Sequence, residues 1–343
     1  FQTMLRAIRF TAAAALLLAA GSAQAQQNTT IRIGYIPVMG AAQLFVAQGE
    51  GWLKEQGLNV QFTKFESGPN LIQAVASGTI DVYNAGFAPL LVARAKGQDI
   101  RVIAATVVEE LGIAAGADLA PFLEGKKVSE KAAALKAFRQ KHGRPVKFAT
   151  QPLGSGPNTS LQYWLWEVIK ADKEDVEIVE LGIDATQRAI LTGAVDAGSI
   201  REPALSIIRK QNPKIKLVAD GAEIFPNFPG VVLAVTGDFA KRDPEAVKKL
   251  IRLTVRATEF IEKNQEKSVK HLGEAFGRGL LPDDILLASL KSPQTRFLAD
   301  PNRITAPATK LQEYQVKIGV LKKADPVDPL FALDVYKEAI AGR

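Results

Sequence analysis

From Thr30 onward the chain alternates short apolar runs with amphipathic segments. The runs at residues 30–38, 58–65 and 100–106 are rich in β-branched residues and predict strands, while the segments between them place apolar residues at helical spacing. A further strand, TIDVYNAG, is predicted between the helices NLIQAVASG and APLLVARAKG. Strands that alternate with helices in this rhythm predict βαβ units and a parallel sheet.

The same rhythm restarts later in the chain. PVKFATQ, at residues 145–151, predicts a strand, and the glycine-rich stretch LGSGPN predicts a tight turn. The next segment, TSLQYWLWEVIKAD, predicts one helix with a single apolar stripe. Further strands are predicted at VEIVELG, AVDAGSI and IKLVADG, with helices between them.

Two stretches of the chain carry nearly the same pattern. AVASGTIDVYNAGFAP returns 115 residues later as AILTGAVDAGSIREP, so that Gly78 and Asp81 match Gly193 and Asp196. The matched register of helix, turn and strand favours a duplicated βαβ design over a coincidence of common residues. We therefore predict two lobes whose strand ends and helix N-termini face a shared crevice.

The chain becomes mostly helical after the second repeat. VVLAVT is predicted to rejoin the first sheet, and Asp243 with Pro244 begins a long amphipathic helix that runs to about Gln265. Three more helices follow. The chain crosses between the lobes near 107–119 and near 225–232, which predicts a two-segment hinge.

The predicted domain boundaries follow from these crossings. The first lobe consists of residues 27–107 plus 232–343, including the C-terminal helices, and the second lobe consists of residues 108–231. The predicted fold class is α/β, with two α/β lobes.

The first residues read as an export signal, predicted at 4–25. Met4 reads as the start, Arg6 and Arg9 form a basic region, TAAAALLLAA is the apolar core, and small residues precede a cut near Ala25. An uncleaved anchor helix is the alternative, but the apolar run is half as long as a membrane span needs. The expected location is periplasmic.

Composition argues against several classes of protein. The absence of cysteine removes a disulfide framework, a thiol nucleophile and a lipid-attachment site. The net charge is +7, but Lys and Arg are scattered among acids, so no nucleic-acid partner is expected. The two histidines, His142 and His271, lie far apart in sequence, and no G-x-S-x-G elbow is present. We expect no catalytic residue, no metal site and no cofactor.

Four stretches of the chain resemble one known family. They are IRIGY, FESGPNLIQAVASGTIDVYNAGFAPLLVARAKG, LGSGPN and TGAVDAGSIREPA. The family is that of the solute-binding proteins of ABC importers for nitrate, sulfonates, taurine and thiamine precursors, and the resemblance covers residues 31–239. It implies a type II periplasmic-binding fold with a ligand clamped between the lobes. It also implies an inner-membrane ABC permease with its ATPase as partner.

Two features depart from the family pattern. Alkanesulfonate binders of the family tend to carry tryptophan where this chain reads DAGSIREP, which weighs against a sulfonate ligand. A charged insertion, SEKAAALKAFRQKHGR at residues 129–144, is predicted to form a solvated surface helix.

Four loops are expected to meet in the crevice and bind the ligand. Gly86 lets the backbone approach a ligand, and Phe87 is expected to pack on its apolar part. The loop at 154–160 opens a helix, whose free N–H groups and dipole favour an anion. The candidate ligand-binding residues are Val38, Met39, Gly40, Gly86, Phe87, Ala88, Ser155, Gly156, Asn158, Thr159, Arg201 and Glu202.

Alternatives stand beside several of these roles. Asn158 or Thr159 either caps its own helix or contacts the ligand. Arg201 offers a fork of N–H donors to a carboxylate or another oxyanion. Glu202 either holds Arg201 in place or receives a ligand amine, and an interlobe or surface ion pair is the alternative for both residues.

The function predicted from the sequence is capture of a small anionic or carboxylated solute for an ABC importer, by a monomer and without catalysis. Two other classes stay open. One is an enzyme on the same two-lobe fold, as in cofactor-precursor synthesis, and the other is a ligand-sensing partner of a receptor.

Overall fold

Two β-sheets organise the chain in the computed structural model, which describes residues 30–277 and 279–342. The predicted signal peptide at 4–25 lies outside the described residues. The strands are β1 Ile31–Tyr35, β2 Val60–Lys64, β3 Val82–Gly86, β4 Ile100–Ala105, β5 Val107–Val108, β6 Gly112–Ala115, β7 Val146–Thr150, β8 Val176–Glu180, β9 Ala197–Ile200, β10 Lys216–Ala219, β11 Val231–Thr236 and β12 Arg296–Phe297.

The two five-stranded sheets share one design. The first has the order β2-β1-β3-β11-β4 and the second has the order β8-β7-β9-β6-β10. In each, the first three strands are parallel, and the fourth, β11 or β6, runs antiparallel to its neighbours. The predicted α/β fold with two lobes is confirmed, and VVLAVT rejoins the first sheet as predicted.

Helices cover these sheets and extend beyond them at the C-terminal end. The α-helices are α1 Ala42–Gly49, α2 Trp52–Glu55, α3 Gly68–Ala76, α4 Ala88–Ala95, α5 Ala120–Leu123, α6 Val128–His142, α7 Gly156–Tyr163, α8 Ile183–Thr192, α9 Ala204–Gln211, α10 Gly221–Ile224, α11 Gly237–Arg242, α12 Pro244–Lys263, α13 Gln265–Phe276, α14 Asp283–Lys291, α15 Thr305–Lys317 and α16 Leu333–Ala341. Within the described ranges, none of the helices is both long enough and apolar enough to cross a membrane.

Local sequence explains where the helices begin and end. The same four residues, Ser-Gly-Pro-Asn, open both α3 and α7, and the hydroxyls of Ser67 and Ser155 each accept a hydrogen bond from the N–H three residues later. Gly78 follows α3 and Gly193 ends α8, and both have a φ of 77°. A residue with a Cβ is strained at that angle, so glycine is favoured at both joints. The predicted repeat is thus present in the backbone.

Two segments that connect the lobes run side by side. The first leaves β4 through β5, and the second leads into β11. The Thr106 N–H donates to the Val231 carbonyl at 3.0 Å, and the Glu109 N–H donates to the Phe228 carbonyl at 3.0 Å. Strand β12 adds a third segment, because it pairs with β5 in antiparallel fashion. This third strand was not predicted, because a strand of only two residues shows no periodicity.

The C-terminal helices contact both lobes. Lys210 of α9 in the second sheet's lobe pairs with Asp284 of α14 at 2.7 Å. Lys317 of α15 pairs with Glu167, which follows α7, at 2.5 Å. Residues 232–343 therefore do not pack on the first lobe alone. The lobe boundaries predicted from the sequence stay a prediction.

Two predicted helices differ from their description. The helix predicted from TSLQYWLWEVIKAD is α-helical only in its first part, and it widens into a π-helical turn over Trp164–Val168 as the Trp164 indole donates to Glu223 at 2.7 Å. The insertion at 129–144 forms α6, but one side of this helix is buried rather than solvated. Leu135 and Phe138 are fully buried there.

Candidate functional site

A cavity of about 210 Å³ lies where the two lobes meet. The ends of β1 and β2 face it from the first lobe, and the ends of β7 and β9 face it from the second. Carboxyl ends of parallel strands are the usual ligand-binding edge of such sheets. The residues that line it are Pro37, Val38, Lys64, Gln151, Ile183, Asp184, Gln187, Ser199, Ile200, Arg201, Glu202, Pro203, Ala204, Ile207, Phe276, Leu280 and Leu281.

The lobes touch each other around this cavity. The Met39 N–H donates to the Glu202 carbonyl at 3.1 Å. On another side, the Glu66 carbonyl accepts the Ile183 N–H at 3.1 Å, and the Glu66 carboxylate accepts the Asp184 N–H at 3.2 Å. Main-chain hydrogen bonds between the lobes therefore hold the cavity walls together.

Arg201 is the buried positive charge of the cavity wall. It follows β9, and it is only 6% exposed. Its Nη1 donates to Oε1 of Glu110 at 3.4 Å, which is the one hydrogen bond of the guanidinium within the described part of the chain. Burial lowers the pKa of Arg201, and the charge of Glu110 opposes this shift. Most of the five N–H donors are thus available to an anion.

Glu202 has a different set of partners from Arg201. Its Oε2 accepts the Ser206 N–H in the first turn of α9 at 3.0 Å, and it accepts the hydroxyl of Ser289 in α14 at 3.3 Å. The residue is 4% exposed. Its carboxylate therefore joins the second lobe to a C-terminal helix, and no described hydrogen bond links it to Arg201.

The remaining polar lining comes from both lobes. Lys64 and Asp184 are half-exposed and lie 3.8 Å apart across the gap. Gln151 donates to the Thr186 hydroxyl at 3.0 Å, and the Ser199 hydroxyl lies 2.9 Å from that of Thr150. These contacts orient amide and hydroxyl groups in the wall beside Arg201.

Comparison with known proteins identifies the family. The model of the NMT1-like family matches residues 24–271. The chain belongs to the NMT1-like family. It is 28% identical to the taurine-binding periplasmic protein of Escherichia coli (strain K12) over 249 residues, which cover 70% of each chain.

Solved structures share the fold. The periplasmic nitrate-binding protein NrtA from Synechocystis PCC 6803 matches with a TM-score of 0.78 and 18% identity, over 92% of this chain and 89% of that one. A ligand binding component of an ABC-type import system from Staphylococcus aureus matches with a TM-score of 0.73 and 18% identity, over 91% and 99%. The resemblance read from the sequence is confirmed, and these relatives are binding proteins, not enzymes.

The structure brings three of the predicted ligand-binding residues to the cavity of this family member. Val38, Arg201 and Glu202 line it, and Met39 lies beside it through its hydrogen bond to Glu202. Gly40 packs against Val231, where a Cβ would lie 2.4 Å from the valine Cβ. The roles of these residues in binding stay predictions.

The other predicted residues are buried away from this cavity. Phe87 stacks on Phe331 with ring centroids 5.4 Å apart, and its neighbours Gly86 and Ala88 are buried with it. Gly156 faces Phe228. Ser155 caps α7, the Thr159 hydroxyl donates to the Ser155 carbonyl at 2.8 Å, and the Asn158 amide donates to the Gln151 carbonyl at 3.1 Å. In this arrangement the polar groups of this loop are engaged within the protein.

Sequence reasoning missed several cavity residues, among them Lys64, Gln151, Asp184 and Gln187. A signal for the first two was available, because Lys64 ends β2 and Gln151 follows β7, and strand ends were expected to face the crevice. The apolar group of Phe276, Leu280 and Leu281 gave no such signal, since it arrives from the C-terminal helices.

Proposed function

We propose that this protein is the periplasmic solute-binding component of an ABC importer and captures a small organic anion in the cavity between its lobes. The observation that carries the proposal is Arg201, a buried guanidinium in the wall of an interlobe cavity with one hydrogen bond to Glu110. Family membership and the names of the relatives support the importer role.

The remaining lining favours an anion with an apolar part. Ile183, Ile207 and Phe276 line the cavity together with the arginine. The cavity volume of about 210 Å³ leaves space beside Arg201 for more than nitrate or bicarbonate. An aliphatic carboxylate would place its oxyanion on Arg201 and its carbon chain against these side chains, and a sulfonate offers the same two parts although the chain lacks the tryptophan typical of alkanesulfonate binders.

Calorimetric titration tests this proposal with a defined panel of solutes. The panel contains carboxylates and sulfonates of two to six carbons, taurine, nitrate, bicarbonate and pyrimidines. We expect affinity to rise with chain length among the organic anions. Tight binding of nitrate or of an uncharged pyrimidine, with no binding of organic anions, would contradict it. Deletion of the gene should also abolish cellular uptake of the solute that binds.

Arg201→Lys is the most informative variant, because it keeps the positive charge beside Glu110 but loses the planar guanidinium with its paired N–H donors. We expect binding of the organic anion to weaken on the order of tenfold to a hundredfold, since hydrogen bonds to a charged group are lost. Arg209→Lys is the matched control, because Arg209 is an exposed arginine of α9. Equal affinities of the wild type and both variants would remove Arg201 from the site.

A further inference from the structure

Glu110 links the cavity to the segments that join the lobes. It lies between β5 and β6, in the first of these segments, and its side chain is 6% exposed. Gly230, in the second segment, faces its carboxylate so closely that a Cβ there would lie 2.2 Å from Oε2. The same Cβ would lie 2.5 Å from the Val107 carbonyl oxygen. The carboxylate is therefore enclosed between Arg201 and both connecting segments.

This carboxylate is poorly satisfied for a buried acid. Oε1 has a long contact of 3.4 Å with Arg201, and Oε2 has no hydrogen-bond partner within the described ranges. Burial raises the pKa of Glu110, and the charge of Arg201 opposes the shift. Arg201, which follows β9, is the charged group next to Glu110, and Tyr83 of β3 lies near Arg201. The neighbouring Glu109 pairs instead with Arg296 of β12.

We propose that Glu110 is a positioning residue, which holds Nη1 of Arg201 so that the rest of the guanidinium serves the ligand, and which takes up a proton when an anion binds. This inference rests on the proposed function, because it needs an anion at Arg201.

The proton uptake follows from electrostatics. A bound anion shares Arg201 with Glu110 and adds a second negative charge beside it, so the anion favours the protonated carboxyl. The pKa of Glu110 is then higher in the complex than in the free protein, and binding takes up a proton at pH values between the two. By linkage, affinity falls as pH rises through that range.

Titration calorimetry in buffers of different ionisation enthalpy measures the uptake directly. The first probe, butane-1-sulfonate, is ionised throughout and is titrated from pH 4.5, the ordinary pKa of a glutamate, to pH 8.5. The second probe, hexanoate, is titrated from pH 7 to 8.5, where it is ionised. We expect wild-type protein to take up part of a proton and to lose affinity with rising pH. Glu110→Gln keeps an oxygen for Nη1 but cannot titrate, so it should bind with no uptake. At pH 8.5 it should bind about threefold to tenfold more tightly than wild type, because it carries no negative charge beside the bound anion.

Two further variants separate positioning from charge. Glu110→Ala, provided that its circular dichroism shows a folded protein, should bind weakly at every pH because Nη1 has lost its partner. Glu124→Gln removes a charge from an exposed glutamate and should match wild type. Probe binding by wild type without proton uptake, or undiminished uptake by Glu110→Gln, would overturn the proposal.

Failure of the proposed function gives a different result. If neither probe binds, the organic-anion proposal is wrong. The thermal unfolding midpoint of the protein without a probe then tests whether Glu110 is a buried acid that is costly to ionise. Because the folded-state pKa of Glu110 is raised, the midpoint of wild type should drop relative to that of Glu110→Gln as pH rises from 4.5, the ordinary pKa of a glutamate, to 8.5. A constant difference between the two midpoints would overturn the Glu110 inference as well.

Discussion

Asp81 and Asp196 hold the same place in the two lobes, each between a helix and a strand. The Asp81 carboxylate accepts the Arg32 N–H of β1 at 2.9 Å and pairs with the Arg32 guanidinium. The Asp196 carboxylate accepts the Lys147 N–H of β7 at 2.8 Å and pairs with Arg144 at 2.7 Å. Each aspartate thus ties the joint between its helix and its strand to the central one of the three parallel strands, β1 or β7. This contact explains why the residue recurs in the repeat.

Asp81→Asn tests this contribution to stability. Burial raises the pKa of Asp81, but the hydrogen bonds from Arg32 outweigh it, so the pKa lies below its ordinary value. Because the folded-state pKa is lowered, the stabilisation is complete above the ordinary pKa and is lost as pH falls through the folded-state value. Urea unfolding at pH 7 should show a loss of about 1–3 kcal/mol, typical of a charged hydrogen bond.

The same experiment at pH 3.5 gives the second half of the test. The loss should shrink there, because the unfolded wild-type chain takes up a proton at the ordinary carboxyl pKa, whereas folded Asp81, with its lowered pKa, takes it up only at lower pH. Asp328→Asn, at an exposed position, is the control and should change little at either pH. A loss that is equal at pH 7 and pH 3.5 would show that the carboxylate charge is not its source.

Among the elements, α6 is packed more closely on the second lobe than its charged sequence suggests. Its charged composition predicts a solvated helix, yet Lys131 is buried and donates to the Val218 carbonyl at 2.7 Å and to Glu223 at 2.6 Å. Glu223 in turn accepts the Trp164 indole N–H. The helix is therefore joined to β10 and to the π-helical turn.

Phe138→Ala measures how much α6 stabilises the protein. Phe138 is fully buried, stacks on His142 with centroids 4.1 Å apart, and meets Phe122 edge to face. Truncation should cost about 3–5 kcal/mol of unfolding free energy, as expected for a buried phenylalanine. Gln140→Ala, on the exposed side of the same helix, is the matched control. If both variants have similar unfolding midpoints in urea, α6 contributes little to stability and is a surface addition.

Secondary structure was largely readable from the sequence, because each strand and its helix carry their own apolar period and their own glycine and proline signals. The cavity was less readable, for a physical reason. Arg201 and Val38 follow strands and were found by that rule, whereas Phe276, Leu280 and Leu281 reach the cavity only through the packing of distant helices. The sequence of α6 likewise shows that the helix is charged. It does not show which buried acceptors Lys131 contacts, because these acceptors come from distant segments of the chain.

At the scale of the whole molecule, ion pairs between the second lobe and the C-terminal helices add to the main-chain hydrogen bonds that hold the cavity walls together. Besides the main-chain bonds near the cavity, the ion pair Lys210–Asp284 joins α9 to α14, and Lys317–Glu167 joins α15 to the turn after α7. The hydrogen bond from Lys210 lowers the pKa of Asp284. These pairs are largely exposed, so each is weak and screened by salt. Together they add a weak attraction between the second lobe and the C-terminal helices.

Charge reversal at one pair tests whether it biases the opening. Lys210→Glu places two carboxylates opposite each other and should shift the protein toward open forms, seen as a larger radius of gyration in small-angle X-ray scattering at low salt. The change should be modest, because an exposed pair alters a population by a few-fold at most.

The swapped protein, Lys210→Glu with Asp284→Lys, restores the attraction and should return to the wild-type radius. Added salt should reduce the difference between Lys210→Glu and wild type, since screening weakens repulsion and attraction alike. If the three proteins share one radius at low salt, this pair has no part in opening, and the main-chain hydrogen bonds near the cavity become the contacts that hold the lobes together.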